Sequence, residues 1–363
     1  VADAYWGKYR TVMLLSLVYC AGHLALFLDD TKVGLFIGLM LIAIGSGGIK
    51  PSVASNVGDQ FGQSNAYLLP RAFSWYYLGI NIGSSTSSLM IPWLLAWQGP
   101  AVAFGVPGLF MVLATVTFWA GRHRFVHVPP AGRSYLRDIF GPEGQRVVRR
   151  LLIIYILVAA FWSLFDQMGS TWVLQAMNMD RVVLGYELLP AQIQAVNPFL
   201  IIVLIPIFSY WVYPFLERFF SVTSPRRMSI GMLLAATPFL VTAWIEAQIQ
   251  MGFSPHIGWQ LLAYLLITIA EVLLVVTCME FSYTQAPKRM KSLVMALFYL
   301  SISAGNLFTA LVNQFIQNTD GTSKLTGPSY HLFFAVFMGC AALLFAVYMR
   351  LYREEHIIQE ESD

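Results

Sequence analysis

Charged residues are scarce in this chain. Asp, Glu, Lys and Arg make up 11% of its 363 residues, whereas soluble domains carry about 25%. Apolar residues make up 57%, and the mean hydropathy is +0.64. This composition is typical of a polytopic membrane protein. The net charge of +3 is small and spread through the loops, so nucleic acid is excluded as an expected partner.

The chain also lacks the usual signatures of enzymes and metal proteins. Its three cysteines, Cys20, Cys278 and Cys340, lie far apart in apolar runs, which favours buried thiols over a disulfide or a metal site. We find no nucleophile elbow and no phosphate-binding loop. A membrane-embedded metal enzyme is a remote alternative, because the pair His123 and His127 has no third ligand in view.

Long apolar segments are what the chain does have. Each is long enough to cross roughly 30 Å of hydrocarbon as a helix. The sequence predicts an all-α membrane protein with ten such segments: 11–28, 33–58, 72–97, 101–121, 150–174, 190–214, 228–247, 258–284, 292–316 and 330–351.

The distribution of positive charge orients these segments. With the first residues in the cytoplasm, 18 of the 22 lysines and arginines fall on cytoplasmic ends and loops, three fall on the opposite side, and Lys50 stays within a segment. The positive-inside rule therefore predicts that both ends of the chain face the cytoplasm. The long basic connection between the fourth and fifth segments predicts a linker between two helix bundles. The predicted units are an N-terminal bundle (1–121), the linker (122–149), a C-terminal six-helix bundle (150–351) and a tail (352–363).

Lys50 is the most unusual charge in the sequence. It ends a long apolar run, three of the five residues at 44–48 are glycine, and Pro51 follows it. A lysine at the centre of a membrane helix costs roughly 2.5–3.5 kcal/mol on insertion scales, and such residues usually face a cavity or a partner. Glycine permits close approach of a neighbour, and proline removes a backbone donor. This stretch is therefore the first candidate for a polar binding cavity.

The same stretch carries a family resemblance. Gly-Gly-Ile-Lys-Pro at 47–51, followed by Gly-Asp-Gln-Phe at 58–61, resembles the central motif of the proton-dependent oligopeptide transporters, a branch of the major facilitator superfamily. A second family motif follows at 73–84. The resemblance implies the major facilitator fold, which has twelve transmembrane helices. Residues 2–10 resemble the loop between the second and third of these, so two helices are expected upstream; a native ten-helix protein is the alternative.

The resemblance assigns roles to the ionisable residues inside the apolar segments. Glu271 matches a glutamate that engages the amino terminus of a peptide, with Lys50 facing the peptide carboxylate; the alternative is that Lys50 and Glu271 pair with each other. Asp166 matches an aspartate of an extracellular-side gate that takes part in proton coupling in some members, and a static salt bridge is its alternative. Glu280 is expected to be structural or gating. His23 is either a proton site or, more simply, a hydrogen-bonded structural histidine.

Neutral side chains complete the implied site. Tyr77 and Asn81 are one helical turn apart and share a face; the resemblance implies that both hydrogen-bond the peptide backbone and that Asn197 contacts the substrate. Ser282 is expected to face the pocket. Trp162 would line it together with Phe298, which stands where the family usually has tryptophan, so an indole N–H donor is lost and the side-chain preference is left open.

The implied function is a proton-coupled symporter that imports di- and tripeptides by alternating access. The family's Glu-x-x-Glu-Arg motif does not occur in this sequence, so its principal proton-coupling residues are not assigned here. We expect no cofactor besides protons as the coupling ion, no catalysis, contact with membrane lipids, and a monomer in the plasma membrane, or the inner membrane of a bacterium. The alternative is the same fold carrying another small solute such as nitrate.

Overall fold

The computed structural model describes residues 1–132, 134–183, 185–219, 221–318 and 323–352. Arg133, Arg353 and the rest of the predicted tail lie outside the described residues. Helices dominate this part of the chain, and they run as follows: α1 Lys8–Leu28, α2 Lys32–Asp59, α3 Leu69–Ala120, α4 Ser134–Phe140, α5 Pro142–Phe165, α6 Thr171–Ala176, α7 Val196–Ile207, α8 Tyr213–Glu217, α9 Ser224–Leu234, α10 Thr237–Gln250, α11 Gly258–Glu271, α12 Thr277–Gln285, α13 Lys291–Ile316 and α14 Pro328–Leu351.

Short irregular turns join or interrupt these helices. The π-helical turns are Ala2–Trp6, Phe208–Val212 and Val272–Val276, and the 3₁₀ turns are Ala66–Leu68, Gly121–His123, Asp166–Gly169 and Pro190–Ala195. Strands β1 (Val182–Val183) and β2 (Tyr186–Glu187) form a two-residue antiparallel hairpin in which Val182 lies opposite Glu187. Apart from this hairpin, the regular structure of the described residues is helical.

In the described part of the chain, nine continuous helical stretches are long and apolar enough to cross a membrane. The stretch Ala66–His123 has 58 residues and contains two of the ten predicted segments. It is broken at Gly99, whose φ of 83° is readily adopted by glycine but strained for other residues. Pro100 follows directly and removes a backbone hydrogen-bond donor. Once this stretch is divided at Gly99, each of the ten predicted segments falls on one observed helical stretch. The all-α, polytopic membrane fold is confirmed.

Two sets of helices meet along a seam. We call α1–α3 the first half and α5–α14 the second half. The second half holds most of the buried apolar core, with large side chains such as Phe161, Trp172, Phe239 and Phe334 packed inside it. The seam is formed where α2 packs on α12 and α13, and where α3 packs on α7 and α12. Helix α5 begins at Pro142, so its first two turns lie within the predicted linker.

The chain between the halves is held against the first residues of the protein. Ala131 N–H donates to the Asp3 carbonyl at 2.8 Å, and Gly132 N–H donates to the Ala4 carbonyl at 2.9 Å. Ala4 and the linker residue Tyr135 are then buried against Met290, at the start of α13. The linker is thus part of the packed structure at the end of the bundle where α2 ends and α13 begins.

Candidate functional site

Glu271 lies at the seam and is only 2% exposed. It is the last residue of α11, and the π-helical turn Val272–Val276 follows it. Its Oε1 accepts a hydrogen bond from Tyr77 Oη of the first half at 2.5 Å, and its Oε2 accepts from Asn197 Nδ2 of α7 at 2.8 Å. We call Tyr77, Asn197 and Glu271 the central cluster. It brings three of the predicted substrate residues together around one carboxylate.

The partners of Glu271 are positioned by further hydrogen bonds. Asn197 Nδ2 also lies 3.0 Å from Thr268 Oγ1, and Thr268 donates to the Tyr264 carbonyl at 2.6 Å. Asn81 is buried and donates to the carbonyl of Tyr77, one turn earlier on α3, at 3.0 Å. Because its amide bonds to its own helix, Asn81 supports the backbone at Tyr77 and does not contact Glu271.

Within the described residues, no ion pair reaches the central cluster. Glu271 is held by neutral donors alone, and no hydrogen bond or ion pair joins it to Lys50. Lys50 lies on α2 with an exposed side chain. A buried carboxylate without a cation is costly. One cation from outside the chain could therefore neutralise the charge of Glu271.

The predicted pocket walls lie in the core of the second half. Trp162 is 5% exposed and packs edge-on against Phe161, and its Nε1 is buried without a hydrogen-bond partner. Phe298 packs edge-on against Tyr155 at a centroid distance of 6.2 Å. Ser282 is fully buried; it accepts from Tyr155 Oη at 2.8 Å and donates to the Cys278 carbonyl at 2.6 Å. The Ser282 hydroxyl is thus engaged within the protein.

The residues proposed for gating and proton coupling occupy three separate places. Asp166 follows α5, is exposed, and accepts from Asn306 Nδ2 of α13 at 2.6 Å. Glu280 is half-buried on α12. His23 is buried on α1, where its Nδ1 lies 3.0 Å from the Phe104 carbonyl. A carbonyl only accepts, so this contact requires the His23 proton on Nδ1. None of the three contacts Glu271.

A second polar group at the seam was missed as a site. Lys8 of α1 pairs with Asp59 at the end of α2, and both side chains are buried. Tyr283 of the second half donates to Asp59 Oδ1 at 2.9 Å, and Lys291 Nζ donates to the Tyr283 carbonyl at 2.7 Å and lies 4.1 Å from the Tyr283 ring centroid. We call these four residues the end cluster. The available signal was Asp59, a carboxylate closing a 28-residue helix in the motif at 58–61.

Asp3 extends the contact between the halves at the same end. Its carboxylate accepts from the backbone N–H of Leu293, in the first turn of α13, at 3.1 Å. An acceptor at a helix N-terminus satisfies a free N–H group and interacts favourably with the helix dipole. Burial raises the pKa of Asp3 above its ordinary value of 3.8, and the nearby Lys8 ammonium opposes that rise.

Two helical halves with a buried polar site between them are the arrangement found in transporters of the major facilitator type. The chain belongs to the POT family, because the model of that family matches residues 9–142 and 140–330. The POT family is a family of transporters. Of the described residues, no group of three or more His, Cys, Asp or Glu side chains is placed to hold a metal ion.

Known relatives and solved structures agree with this membership. Peptide transporter family 1 of Drosophila melanogaster is 34% identical over 299 residues, which are 69% of this chain and 40% of the relative. Solute carrier family 15 member 2 of Mus musculus is 36% identical over 309 residues, 70% of this chain and 42% of the relative. A crystal structure of an auto-inhibited POT family peptide transporter matches with a TM-score of 0.78 at 36% identity, covering 99% of this chain and 86% of that chain. The chain thus spans about 40% of the length of the curated relatives it matches.

Proposed function

We propose that this chain forms the transport core of a proton-coupled symporter that imports di- and tripeptides by alternating access. The observation that carries the proposal is Glu271, a buried carboxylate held by a donor from each half and, among the described residues, by no cation. The amino terminus of a peptide would supply the missing positive charge. Hydrogen bonds that involve a charged partner contribute about 1.5–3 kcal/mol each, enough for the peptide ammonium to compete with water.

The position of Glu271 connects binding to movement. Tyr77 and Asn197 approach the same carboxylate from opposite halves, so a ligand ammonium at Glu271 changes contacts on both sides of the seam. Rocking of one half against the other about this point would expose the site to each side of the membrane in turn. Recognition of termini and backbone would explain acceptance of many side chains, because all short peptides share those groups.

Lys50 and Asp166 have supporting roles in this proposal. Lys50 would receive the peptide carboxylate, so that Lys50 and Glu271 together select a short zwitterion. Asp166, which Asn306 holds in this structure, would be the carboxylate whose protonation accompanies gating. The protein would act as a monomer in the plasma membrane, or the inner membrane of a bacterium, with both ends cytoplasmic and protons as the only coupling agent.

Uptake into liposomes tests the proposal. The intact protein is reconstituted, an inward proton gradient is imposed, and entry of labelled dialanine is followed with free alanine and nitrate as competitors. We expect gradient-dependent uptake that unlabelled dipeptide abolishes and that free alanine and nitrate leave intact. Glu271→Gln should reduce the apparent affinity about tenfold or more, since the ammonium loses its charged partner.

Two matched variants separate the site from general damage. Glu246→Gln removes another carboxylate of a membrane helix that is also bonded by an amide, from Gln175 at 2.9 Å, but away from the seam. Lys32→Ala is the control for Lys50→Ala, because both lysines are exposed on α2. Uptake that Glu271→Gln and Lys50→Ala leave unchanged would overturn the site assignment. Absence of dialanine uptake by folded protein would overturn the substrate class.

A further inference from the structure

A cavity opens on the seam, and Glu271 is not among the residues that line it. Its volume is about 400 Å³, and its walls come from both halves: the start of α3, and the stretch from the end of α7 to α9. We call it the seam cleft, and its polar lining is Tyr67, Arg71, Ser74, Ser209, Tyr213, Glu217 and Arg227. The cleft lies at the end of the bundle where α2 ends, which the positive-inside rule places at the cytoplasmic surface.

Two arginines, one from each half, dominate the charge of the seam cleft. The Arg71 guanidinium lies 5.3 Å from the Tyr210 ring centroid, and the Arg227 guanidinium lies 5.1 Å from the Tyr213 ring centroid. Stacking on an aromatic ring orients a guanidinium while leaving its edge donors available for another partner. Among the residues that line the cleft, Arg71 and Arg227 outnumber the single carboxylate, that of Glu217, so this lining carries a net positive charge.

Arg227 has an unfilled hydrogen-bonding position. Its Nε is buried and has no hydrogen-bond partner among the described residues. A buried charged donor without an acceptor is costly. The neighbouring Arg226 differs, because it donates to the carbonyl and the hydroxyl of Ser221 at 2.7 and 2.6 Å. Arg227, unlike Arg226, therefore has a hydrogen-bond donor that the described residues do not use.

The surroundings of the seam cleft indicate which anion would fit. The membrane span Gln192–Leu216 ends beside it, so the cleft lies at the depth of lipid headgroups. Trp211, 77% exposed, and Phe215, 56% exposed, lie on the same span next to the lining residues and offer apolar surface to acyl chains. Phosphate oxygens match the fork of donors on arginine, and basic pockets between helices on the cytoplasmic side bind anionic headgroups.

We propose that the seam cleft binds the phosphodiester headgroup of an anionic membrane lipid, with Arg71 and Arg227 contacting the phosphate from opposite halves. The Ser74 and Tyr67 hydroxyls line the same cavity and are available as further donors. A headgroup held in this way links α3 to α9 and favours the arrangement in which the two halves are close at this end. Lipid composition would thereby alter the balance between conformations without contact with the transported solute.

Binding is tested without any transport measurement. The intact protein is placed in bilayer discs of phosphatidylcholine, with and without phosphatidylglycerol, and thermal unfolding and retained lipid by native mass spectrometry are recorded. Phosphatidylglycerol should raise the unfolding temperature of the wild type and remain bound. Arg71→Gln and Arg227→Gln, alone and combined, should lower the apparent affinity for phosphatidylglycerol about tenfold or more, because each removes a charge-assisted contact.

Arg122→Gln is the matched control. Arg122 also stacks on an aromatic ring at this side of the membrane, 4.1 Å from Trp119, but it lies outside the seam cleft. An equal loss of response in Arg122→Gln and Arg227→Gln would overturn the proposal in favour of general surface charge. Stabilisation by inorganic phosphate alone, equal to that by phosphatidylglycerol, would overturn the lipid as the source of the anion. Arg227→Lys retains the charge and serves as the variant of choice if Arg227→Gln fails to fold.

Discussion

The central cluster and the end cluster each contain a tyrosine that donates to a carboxylate of the other half, but the halves that supply the two residues are exchanged. In the central cluster a tyrosine of the first half, Tyr77, donates to a carboxylate of the second half, Glu271. In the end cluster a tyrosine of the second half, Tyr283, donates to a carboxylate of the first half, Asp59. Each pair crosses the seam.

The difference between the two clusters lies in their cations. Asp59 has Lys8 as a partner within the protein, whereas Glu271, among the described residues, has neutral donors only. The protein itself therefore neutralises Asp59, and the charge of Glu271 is left for a ligand or a proton. The comparison separates a contact that holds the halves together from one that can exchange partners.

The largest expected effect comes from converting each carboxylate to its amide. Asp59→Asn removes the charged partner of buried Lys8, and breaking a buried pair in this way costs about 3–5 kcal/mol. Glu271→Gln removes a buried charge that has no cation among the described residues, so we expect no comparable loss of stability. Thermal unfolding of both variants in the same detergent measures the difference.

An exposed ion pair gives a reference for the loss of stability in these two variants. Asp138 and Arg289 lie 3.2 Å apart with 34% and 62% of their side chains exposed, and such pairs contribute about 0–1 kcal/mol. Asp138→Asn should therefore resemble Glu271→Gln and differ from Asp59→Asn. If Asp59→Asn were as stable as Asp138→Asn, the Lys8–Asp59 pair would not contribute to stability as a buried pair.

A smaller effect should follow from removing each tyrosine hydroxyl. Tyr283 is fully buried, so Tyr283→Phe leaves one Asp59 lone pair without a donor at a cost of about 1–3 kcal/mol. Tyr77 is half-buried, so Tyr77→Phe should cost less than Tyr283→Phe, below about 1 kcal/mol. Thermal unfolding gives both values, and dialanine uptake should respond in the reverse order. Equal stability losses would remove the distinction drawn here.

The smallest expected effect is a dependence on pH at the end of the bundle. Because burial raises the pKa of Asp3 above 3.8, the folded state favours the protonated carboxyl. Stability from Asp3 is thus full below its ordinary pKa and is lost as the pH rises through the raised value. Asp3→Asn should flatten this decline, since an amide oxygen can still accept from Leu293. Unfolding temperatures of wild type and Asp3→Asn from pH 4 to pH 7 give the contribution as their difference; parallel curves would contradict it.

The sequence predicted the position of a residue along its helix better than it predicted which residues of other helices it contacts. Apolar runs give the position of a residue along a helix axis, so the ten segments and the polar positions within them were predictable. Family motifs singled out Tyr77, Asn197 and Glu271 separately, and the structure brings these three together. Lys50 was named by the same motifs but is exposed on α2, because its position on the helix axis does not determine which way its side chain faces.

The end cluster could not be predicted in this way. Lys8 and Lys291 were counted among cytoplasmic loop charges, since both stand at the edge of an apolar run. The structure shows each at the first position of a helix, buried at a helix–helix contact. A charge at a helix end is solvated when it points outward and paired when it points into the seam, and hydropathy alone does not separate these cases. The packing of α2 on α12 and α13 is what distinguishes a paired charge from a solvated one here.

Gly58 carries a consequence for how this protein can vary. A side-chain carbon at residue 58 would overlap the ring of Tyr283, so glycine there is tied to the tyrosine opposite. A smaller residue at 283 would make room at 58 but deprive Asp59 of its hydroxyl donor, and Asp59 would then need a new partner beside Lys8. We therefore expect substitutions at 58, 59 and 283 to be tolerated only in combination, so that these positions vary together across the boundary between the two halves.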